Sequence, residues 1–174
     1  FVYFNNIKFE YLFEFGNIMN IGFKFSHQDM KAAGALSYVR FAGTNAADTV
    51  ARIINSDFGF EWSWSPNRDY VQRRYYRTNL PNKYPTLTLN ANFGIKGLAG
   101  SEYDYQSLRL SLDKRFFLSQ LGYAQMRLRA GYLFGSVPYP LLNVPVANQS
   151  YLYQLNAYNL MNYFEFVSDQ YASL

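Results

Sequence analysis

The amino-acid sequence predicts an all-β fold: part of an antiparallel transmembrane β-barrel, with roughly seven or eight strands. Residues 54–65 carry the clearest signal, because aromatic and polar residues alternate strictly there. Successive side chains of a strand point to opposite faces, so one face of this strand is aromatic and the other is polar. We expect the aromatic face to meet lipid and the polar face to line a lumen.

Composition narrows the class of protein further. The 174 residues suit one domain, and only 16% are charged while 20% are aromatic. No apolar run reaches the length of about 18 residues that a membrane-spanning helix needs. Cysteine is absent, which excludes disulfides and cysteine-based metal sites. The net charge of +4 comes from dispersed residues, so nucleic acid is not an expected partner, and no cofactor is predicted.

The first half of the chain predicts three strong strands and one weak one. Residues 7–15 and 19–26 alternate well, and Gly16-Asn17 between them tolerate positive φ, which favours a tight hairpin. Residues 35–41 form the weaker strand, and the strand at 54–65 follows. The small and polar residues at 27–33 and 43–50 predict loops.

The second half predicts a regular succession of strands and turns. A long connection at 66–85 carries three prolines. Strands then follow at the positions 86–95, 105–117 and 123–134, with a turn near Gly97 and Gly100 and another at 118–122. The last segment is ambiguous, with a strand expected from about residue 162. The turns at 16–17 and 118–122 lie at one end of the barrel only if the segment 35–41 does not cross the membrane.

The alternation assigns residues to each face of the predicted barrel wall. An arginine on the lipid face would cost about 2–4 kcal/mol near the midplane, and the arginines of these strands lie on the polar face. The residues expected to face lipid are Phe58, Phe60, Trp62, Trp64, Leu108, Leu110, Leu112, Met126 and Leu128. The charged residues expected to face the lumen are Arg109, Asp113, Arg127 and Arg129. A soluble sheet would place the same arginines in water, so it stays an alternative.

Catalysis has little support in the sequence. His27 is the only histidine and is predicted in a polar loop, without a recognisable nucleophile or paired acid. Glu10 and Glu14 share a face with Lys8, which indicates balanced interior charges rather than an acid/base pair. The arginines near position 75 could bind anionic headgroups or lie in a solvated loop. We therefore predict that the chain is not an enzyme.

A proline-rich connection follows the strand at 123–134. Prolines stiffen it and large side chains give it an apolar surface. We expect it to contact the lumen or a partner protein; the alternative is a rigid connection that packs on its own barrel. The residues of this expected contact are Pro138, Tyr139, Pro140, Leu141 and Leu142.

Several segments of the chain resemble a known family. They are Tyr84-Pro-Thr-Leu-Thr-Leu-Asn, Gly94-Ile-Lys-Gly, Val137-Pro-Tyr-Pro-Leu-Leu, Ala147-Asn-Gln-Ser and Glu165-Phe-Val-Ser-Asp-Gln-Tyr-Ala-Ser-Leu. They are similar to outer-membrane proteins of Bacteroidota-type bacteria with an N-terminal carboxypeptidase-regulatory-like domain and a C-terminal barrel of unknown function. The resemblance implies a barrel in the outer membrane of a Gram-negative bacterium, and no peptidase activity. It also implies a soluble N-terminal domain and further strands outside residues 1–174, which would form a segment of one barrel domain.

The function expected from sequence is therefore a structural, transport or assembly role in the bacterial outer membrane. Outer-membrane lipid would surround the chain, and other outer-membrane or periplasmic proteins would be its partners. A soluble β-barrel or sandwich that binds an apolar ligand is the second hypothesis. A membrane-embedded hydrolase that uses His27 is the third.

Overall fold

The fold is built almost entirely from β-strands. The computed structural model describes residues 2–32, 38–41, 47–50, 52–154, 157–162 and 165–174. Within these ranges the strands are β1 (Val2–Phe15), β2 (Met19–Ala32), β3 (Tyr38–Phe41), β4 (Ala47–Val50), β5 (Arg52–Trp64), β6 (Tyr70–Gln72), β7 (Arg77–Asn79), β8 (Thr86–Gly94), β9 (Tyr105–Phe117), β10 (Tyr123–Phe134) and β11 (Gln170–Ser173). Short 3₁₀ turns lie at Leu98–Gly100, Ser119–Leu121 and Tyr139–Leu141.

The main sheet has seven strands in the order β1-β2-β5-β8-β9-β10-β11. Every neighbouring pair is antiparallel, so the chain runs up and down through the sheet in sequence order. Two small hairpins, β3-β4 and β6-β7, form separate two-stranded sheets between the main strands. The prediction of an all-β, antiparallel fold is confirmed.

The register of the main sheet aligns apolar side chains in rows across the strands. Phe25 pairs with both Phe9 and Phe58, and Phe58 pairs with Phe93. Such cross-strand aromatic pairs each stabilise a sheet by about 0.2–1 kcal/mol. Because side chains alternate along every strand, this row places the apolar residues of β1, β2, β5 and β8 on the same face. The pairs Leu89–Leu110 and Leu112–Leu128 extend that face to β9 and β10.

The antiparallel order fixes which connections share an end of the sheet. The turns at 16–18 and 118–122 and the connection 65–85 lie at one end, which we call the short-turn end. The connections 33–51, 95–104 and 135–169 lie at the other, the long-loop end. The two tight turns share an end because β3 pairs only with β4 and takes no place in the main sheet. Gly16 and Gly122 have φ of 56° and 95°, values that glycine adopts without strain.

The loop predicted at 27–33 is wrong, because β2 continues to Ala32. β1 begins at Val2 and β5 at Arg52, so this stretch has hydrogen-bonding partners on both sides. Its side chains are polar and lack alternation, which is why the sequence pattern indicated a loop. Cross-strand partners decide strand length here, and they are invisible to a local pattern.

Two further predictions need correction. Residues 47–50 were expected in a loop but form β4, which pairs with β3; the expected strand residues 35–37 lie outside the described residues. The strand expected from about residue 162 forms only at β11. Before it, Ser168 exchanges two backbone hydrogen bonds with Asn143, and Asp169 accepts one from Leu133. These bonds hold residues 165–169 as a connection rather than as a strand.

Candidate functional site

The charged and polar side chains of the main sheet collect on one face, which we call the polar face. Glu61, Asn90 and Arg109 illustrate it, because they pair in register on three successive strands. The opposite face, which we call the apolar face, carries the aromatic rows. The polar face holds the groups capable of chemistry or recognition, so it is the first candidate site.

Ion pairs link β1, β2 and β5, the first three strands of the main sheet, across the polar face. Lys24 on β2 lies 3.4 Å from the carboxylate of Glu10 on β1, and it also contacts Glu61 on β5. Glu10 forms a second pair with Lys8 at 3.0 Å. Lys24 and Glu61 are three-quarters buried or nearly so, which makes their contact less screened than a surface pair. These charges are satisfied within the sheet.

The predicted lumen-facing charges lie together on the polar face of β9 and β10. Arg127 donates to the carboxylate of Asp113 at 2.5 Å. Neither Arg109 nor Arg129 has a carboxylate within 4.0 Å among the described residues, although Arg109 interacts electrostatically with Asp57. This part of the face therefore carries more positive charge than it neutralises locally.

A small apolar cluster lies on the polar face at the long-loop end. Its buried members are Met30, Ile53, Tyr103, Tyr105 and Leu133, which come from β2, β5, β9, β10 and the turn before β9. Val137 and Leu141 of the proline-rich connection pack against this cluster. The connection therefore folds back over the polar face. Whether it also contacts a lumen or a partner protein stays a prediction.

A buried polar group stands beside the cluster. Asn55 is only 1% exposed, and its amide donates to the hydroxyl of Tyr105 at 3.0 Å and to Asp57 at 3.2 Å. The Tyr105 ring lies directly over Gly94, the residue opposite it on β8, and a β-carbon at Gly94 would collide with that ring. Glycine is required here because it leaves room for the ring to lie flat on the neighbouring strand.

The connection 65–85 reaches the polar face from the short-turn end. Arg77 of its β6-β7 hairpin donates to Glu14 on β1 at 2.9 Å. The same guanidinium stacks on Tyr70 at 4.2 Å from the ring centre, and Arg73 lies over Tyr76 at 5.6 Å. The arginines that could have formed an anion-binding group in the sequence are thus partly engaged within their own hairpin.

A cavity of about 440 Å³ lies between β9–β11 and the connection 135–169. Arg109 and Arg129 line its sheet side, as does Tyr171 of β11, whose ring lies over Gly131. Its other wall is mainly apolar. The residues of that wall are Leu142, Asn143, Val144, Pro145, Val146, Tyr158, Met161, Phe166 and Ser168. Of the predicted contact residues whose side chains the structure describes, Leu142 alone lines this cavity.

The predicted lipid-facing residues share the apolar face. Phe58, Leu108 and Leu110 lie on inner strands and still keep 43–45% of their surface exposed. Ring pairs such as Phe25–Phe58, at 5.0 Å between centres, fill the spaces between strands but do not cover the face. The connections 65–85 and 135–169 therefore contact the polar face, while these three side chains of the apolar face stay partly exposed. That the apolar face meets lipid stays a prediction.

His27 lies on β2 and not in a loop, so the sequence-based placement is wrong. Its Nδ1 is 2.8 Å from the hydroxyl of Ser56 on β5, a separation that would suit a base and a nucleophile. Ser56, however, is completely buried, so no substrate can reach its hydroxyl in this conformation. The contact stabilises the strand pair at the edge of the aromatic rows.

Comparisons with known proteins place the chain in a family. Residues 45–174 match the C-terminal domain of DUF5686, a family of unknown function. The chain belongs to the DUF5686 family. The match covers 130 of 174 residues and includes β4 to β11 of the DUF5686 C-terminal domain, and a search of curated proteins finds no match.

The described part of this DUF5686 chain contains no helix long and apolar enough to cross a membrane. It also contains no group of three His, Asp or Glu residues arranged to hold a metal ion.

Sequence reasoning missed the residues that shape the polar face most. Lys24 and Glu61 become partners only when β2 pairs with β5, and Tyr171 meets Gly131 only when β11 pairs with β10. The sequence contained one signal. Gly94 and Gly131 occupy positions on the polar face of their strands, where the other positions of that face carry larger side chains. A glycine inside a strand often marks a close approach of another group.

Proposed function

We propose that this chain forms part of the wall of an antiparallel β-barrel in the bacterial outer membrane. Its apolar face would meet lipid and its polar face would enclose a lumen. The observation that carries the proposal is the placement of the connections. In a water-soluble sheet the connections would cover the aromatic face, whereas here the connections 65–85 and 135–169 fold over the charged face.

The proposed role is structural, or in transport or assembly, rather than catalytic. The proline-rich connection would occupy part of the lumen at the long-loop end, where it packs on Tyr105 and Leu133. The β6-β7 hairpin would narrow the lumen at the short-turn end through its contact with Glu14. A lumen constricted at both ends supports regulated passage or docking more than free diffusion. Outer-membrane and periplasmic proteins are the proposed partners.

Heat-modifiable gel migration of the natural full-length protein, taken from an outer-membrane fraction, tests the barrel. A closed barrel resists detergent until it is boiled, so boiled and unboiled samples are expected to migrate differently. Identical migration of both samples, together with recovery of the protein in the soluble fraction, would contradict the proposal.

Tryptophan fluorescence tests the orientation of the apolar face. Trp62 and Trp64 are the only tryptophans of the chain, and both lie on that face. The difference in emission between the protein and the double variant Trp62→Phe/Trp64→Phe isolates the fluorescence of these two residues. Lipids with brominated acyl chains are expected to quench that fluorescence. If that part of the signal is not quenched, the aromatic rows do not face the bilayer.

The runner-up is a soluble sheet that binds an apolar ligand against its aromatic rows. It predicts that the protein is soluble without detergent and that Trp62 responds to a small apolar ligand. The same quenching experiment separates the two, because brominated lipid would not reach a tryptophan that faces a protein interior.

A further inference from the structure

The cavity beside β11 has two walls of different chemistry. On the sheet side it presents the guanidinium groups of Arg109 and Arg129. On the other side Val144, Met161 and Phe166 present apolar surface. Its volume of about 440 Å³ lies in the range of small-molecule sites, which are mostly apolar with a few placed polar groups. These two walls suit an amphiphile, whose charged head would meet the arginines and whose apolar chain would meet the opposite wall.

The two arginines are not neutralised by the cavity. The residues that line it include no Asp or Glu, and neither guanidinium has a carboxylate within 4.0 Å among the described residues. On the same face Lys24 and Arg127 both have carboxylate partners. Arg109, which interacts electrostatically with Asp57 on another strand, and Arg129 therefore leave positive charge at the cavity wall.

The backbone register makes Arg109 and Arg129 diagonal neighbours on the polar face. Arg109 pairs with Gly131, and Arg129 lies two residues before Gly131 on the same face. Diagonal positions of this kind are about 7–8 Å apart in a sheet, so long side chains from both can reach one anionic head group. Neighbouring cations repel each other, and an anion between them would reduce that repulsion.

The opposite wall supplies a further polar group. Asn143 lines the cavity and is only 8% exposed, and its amide nitrogen has no hydrogen-bond acceptor among the described atoms. Buried donors of this kind ordinarily have a partner. Paired backbone hydrogen bonds with Ser168, of 3.0 and 3.1 Å, hold Asn143 in position. These two hydrogen bonds join the two segments of the connection that form this wall.

We propose that this cavity binds one anionic amphiphile, with a carboxylate or phosphate head between Arg109 and Arg129 and a short apolar chain against Phe166. A free fatty acid and a single-chain phosphate ester share this chemistry. The inference does not depend on a membrane location, because the cavity lies on the polar face and forms from residues of this chain alone.

Calorimetric titration of the natural full-length protein, held in a nanodisc of neutral phosphocholine lipid, tests the proposal. The probes are octanoate, octyl phosphate, octanol and inorganic phosphate. Saturable binding of octanoate or octyl phosphate, tighter than that of octanol and inorganic phosphate, would support it, and the tighter amphiphile would identify the head group. Octanol that binds as well as octanoate would show partition into lipid only. Inorganic phosphate that binds as well as octyl phosphate would show a simple anion site. Either of these results overturns the proposal.

Three variants locate the binding. Arg109→Gln and Arg129→Gln are each expected to weaken the better amphiphile about tenfold or more, because each removes a hydrogen bond to a charged group. Arg115→Gln is the matched control, since Arg115 stacks on Tyr123 at 4.4 Å and does not line the cavity. Unchanged affinity in both cavity variants would overturn the proposal.

A variant outside the strands separates binding from folding. Phe166→Asp places a negative charge in the apolar wall, in the connection before β11, at a side chain that is 61% exposed. Loss of octanoate binding, with the heat shift on gels retained, would support the proposal. Retained binding would overturn it. The heat shift reports the barrel separately, so failure of the cavity and failure of the barrel give different results.

Discussion

The two faces of the seven-stranded sheet differ in what the chain itself places over them. The polar face carries paired charges, a buried cluster around Tyr105 and a cavity, and two long connections fold over it. The apolar face carries aligned aromatic rows that stay partly exposed. Both faces come from the same strands, so the difference between them lies in which face the connections 65–85 and 135–169 cover. In a soluble protein this arrangement would be reversed.

The sharpest test of this difference introduces one charge on either face. Leu89 lies on the apolar face between Trp62 and Leu110, while Asn90, the next residue, lies on the polar face between Glu61 and Arg109. We expect Leu89→Arg to destabilise the protein in lipid by about 2–4 kcal/mol, because the charge would enter the hydrocarbon. The readout is the fraction of the full-length protein that shows the heat shift on gels.

Asn90→Arg is the matched control and is expected to assemble normally, since Glu61 lies opposite it. If Asn90→Arg blocks assembly and Leu89→Arg does not, the faces are assigned the wrong way round. Equal tolerance of both variants would mean that neither face meets lipid.

The sequence allowed this assignment of faces because alternation is a local property. Phe58 and Trp62 share a face whatever their strand pairs with. Strand ends were less predictable, because residues 27–32 gain their order from β1 and β5 rather than from their own pattern. The candidate cavity was beyond local reasoning altogether. It requires Arg109 and Arg129 to meet residues that lie as far along the chain as Phe166.

The second test concerns the close packing on the polar face. A β-carbon at Gly94 would collide with the ring of Tyr105. That side chain is buried, and its hydroxyl accepts a hydrogen bond from Asn55. We expect Gly94→Ala to destabilise the protein by about 1–3 kcal/mol, the usual effect of overpacking. The measurement is the urea midpoint for loss of the heat shift.

Gly22→Ala provides the comparison for this packing effect. A β-carbon at Gly22 would lie 3.4 Å from the nearest atoms, of Glu61 and Leu12, which is ordinary contact. Gly22→Ala is therefore expected to be neutral or slightly stabilising, by up to about 1 kcal/mol, because glycine loses more backbone freedom on folding. Equal destabilisation by the two variants would show that the Tyr105 contact has no special role.

The third test removes the central cation of the polar face. Lys24→Met would leave the carboxylates of Glu10 and Glu61 facing each other without their shared partner. We expect a destabilisation of about 1–3 kcal/mol, the range for leaving a partly buried group unsatisfied. Lys8→Met is the control, because Lys8 contacts only Glu10 and its side chain is half exposed. A Lys24→Met effect no larger than that of Lys8→Met would show that the pairs stabilise little.

The variant with the smallest expected effect tests how far the apolar face extends toward the long-loop end. Asp29 and Arg52 form two parallel hydrogen bonds of 2.6 and 2.8 Å on the same side of the sheet as the aromatic rows, four residues beyond Phe25. Arg52 is half exposed, so water screens the pair, and Asp29→Asn is expected to shift the urea midpoint less than Gly94→Ala or Lys24→Met. The shift should also shrink further in high salt. A large effect that salt does not reduce would place this pair inside the hydrocarbon. The apolar face would then extend beyond its aromatic rows toward the long-loop end.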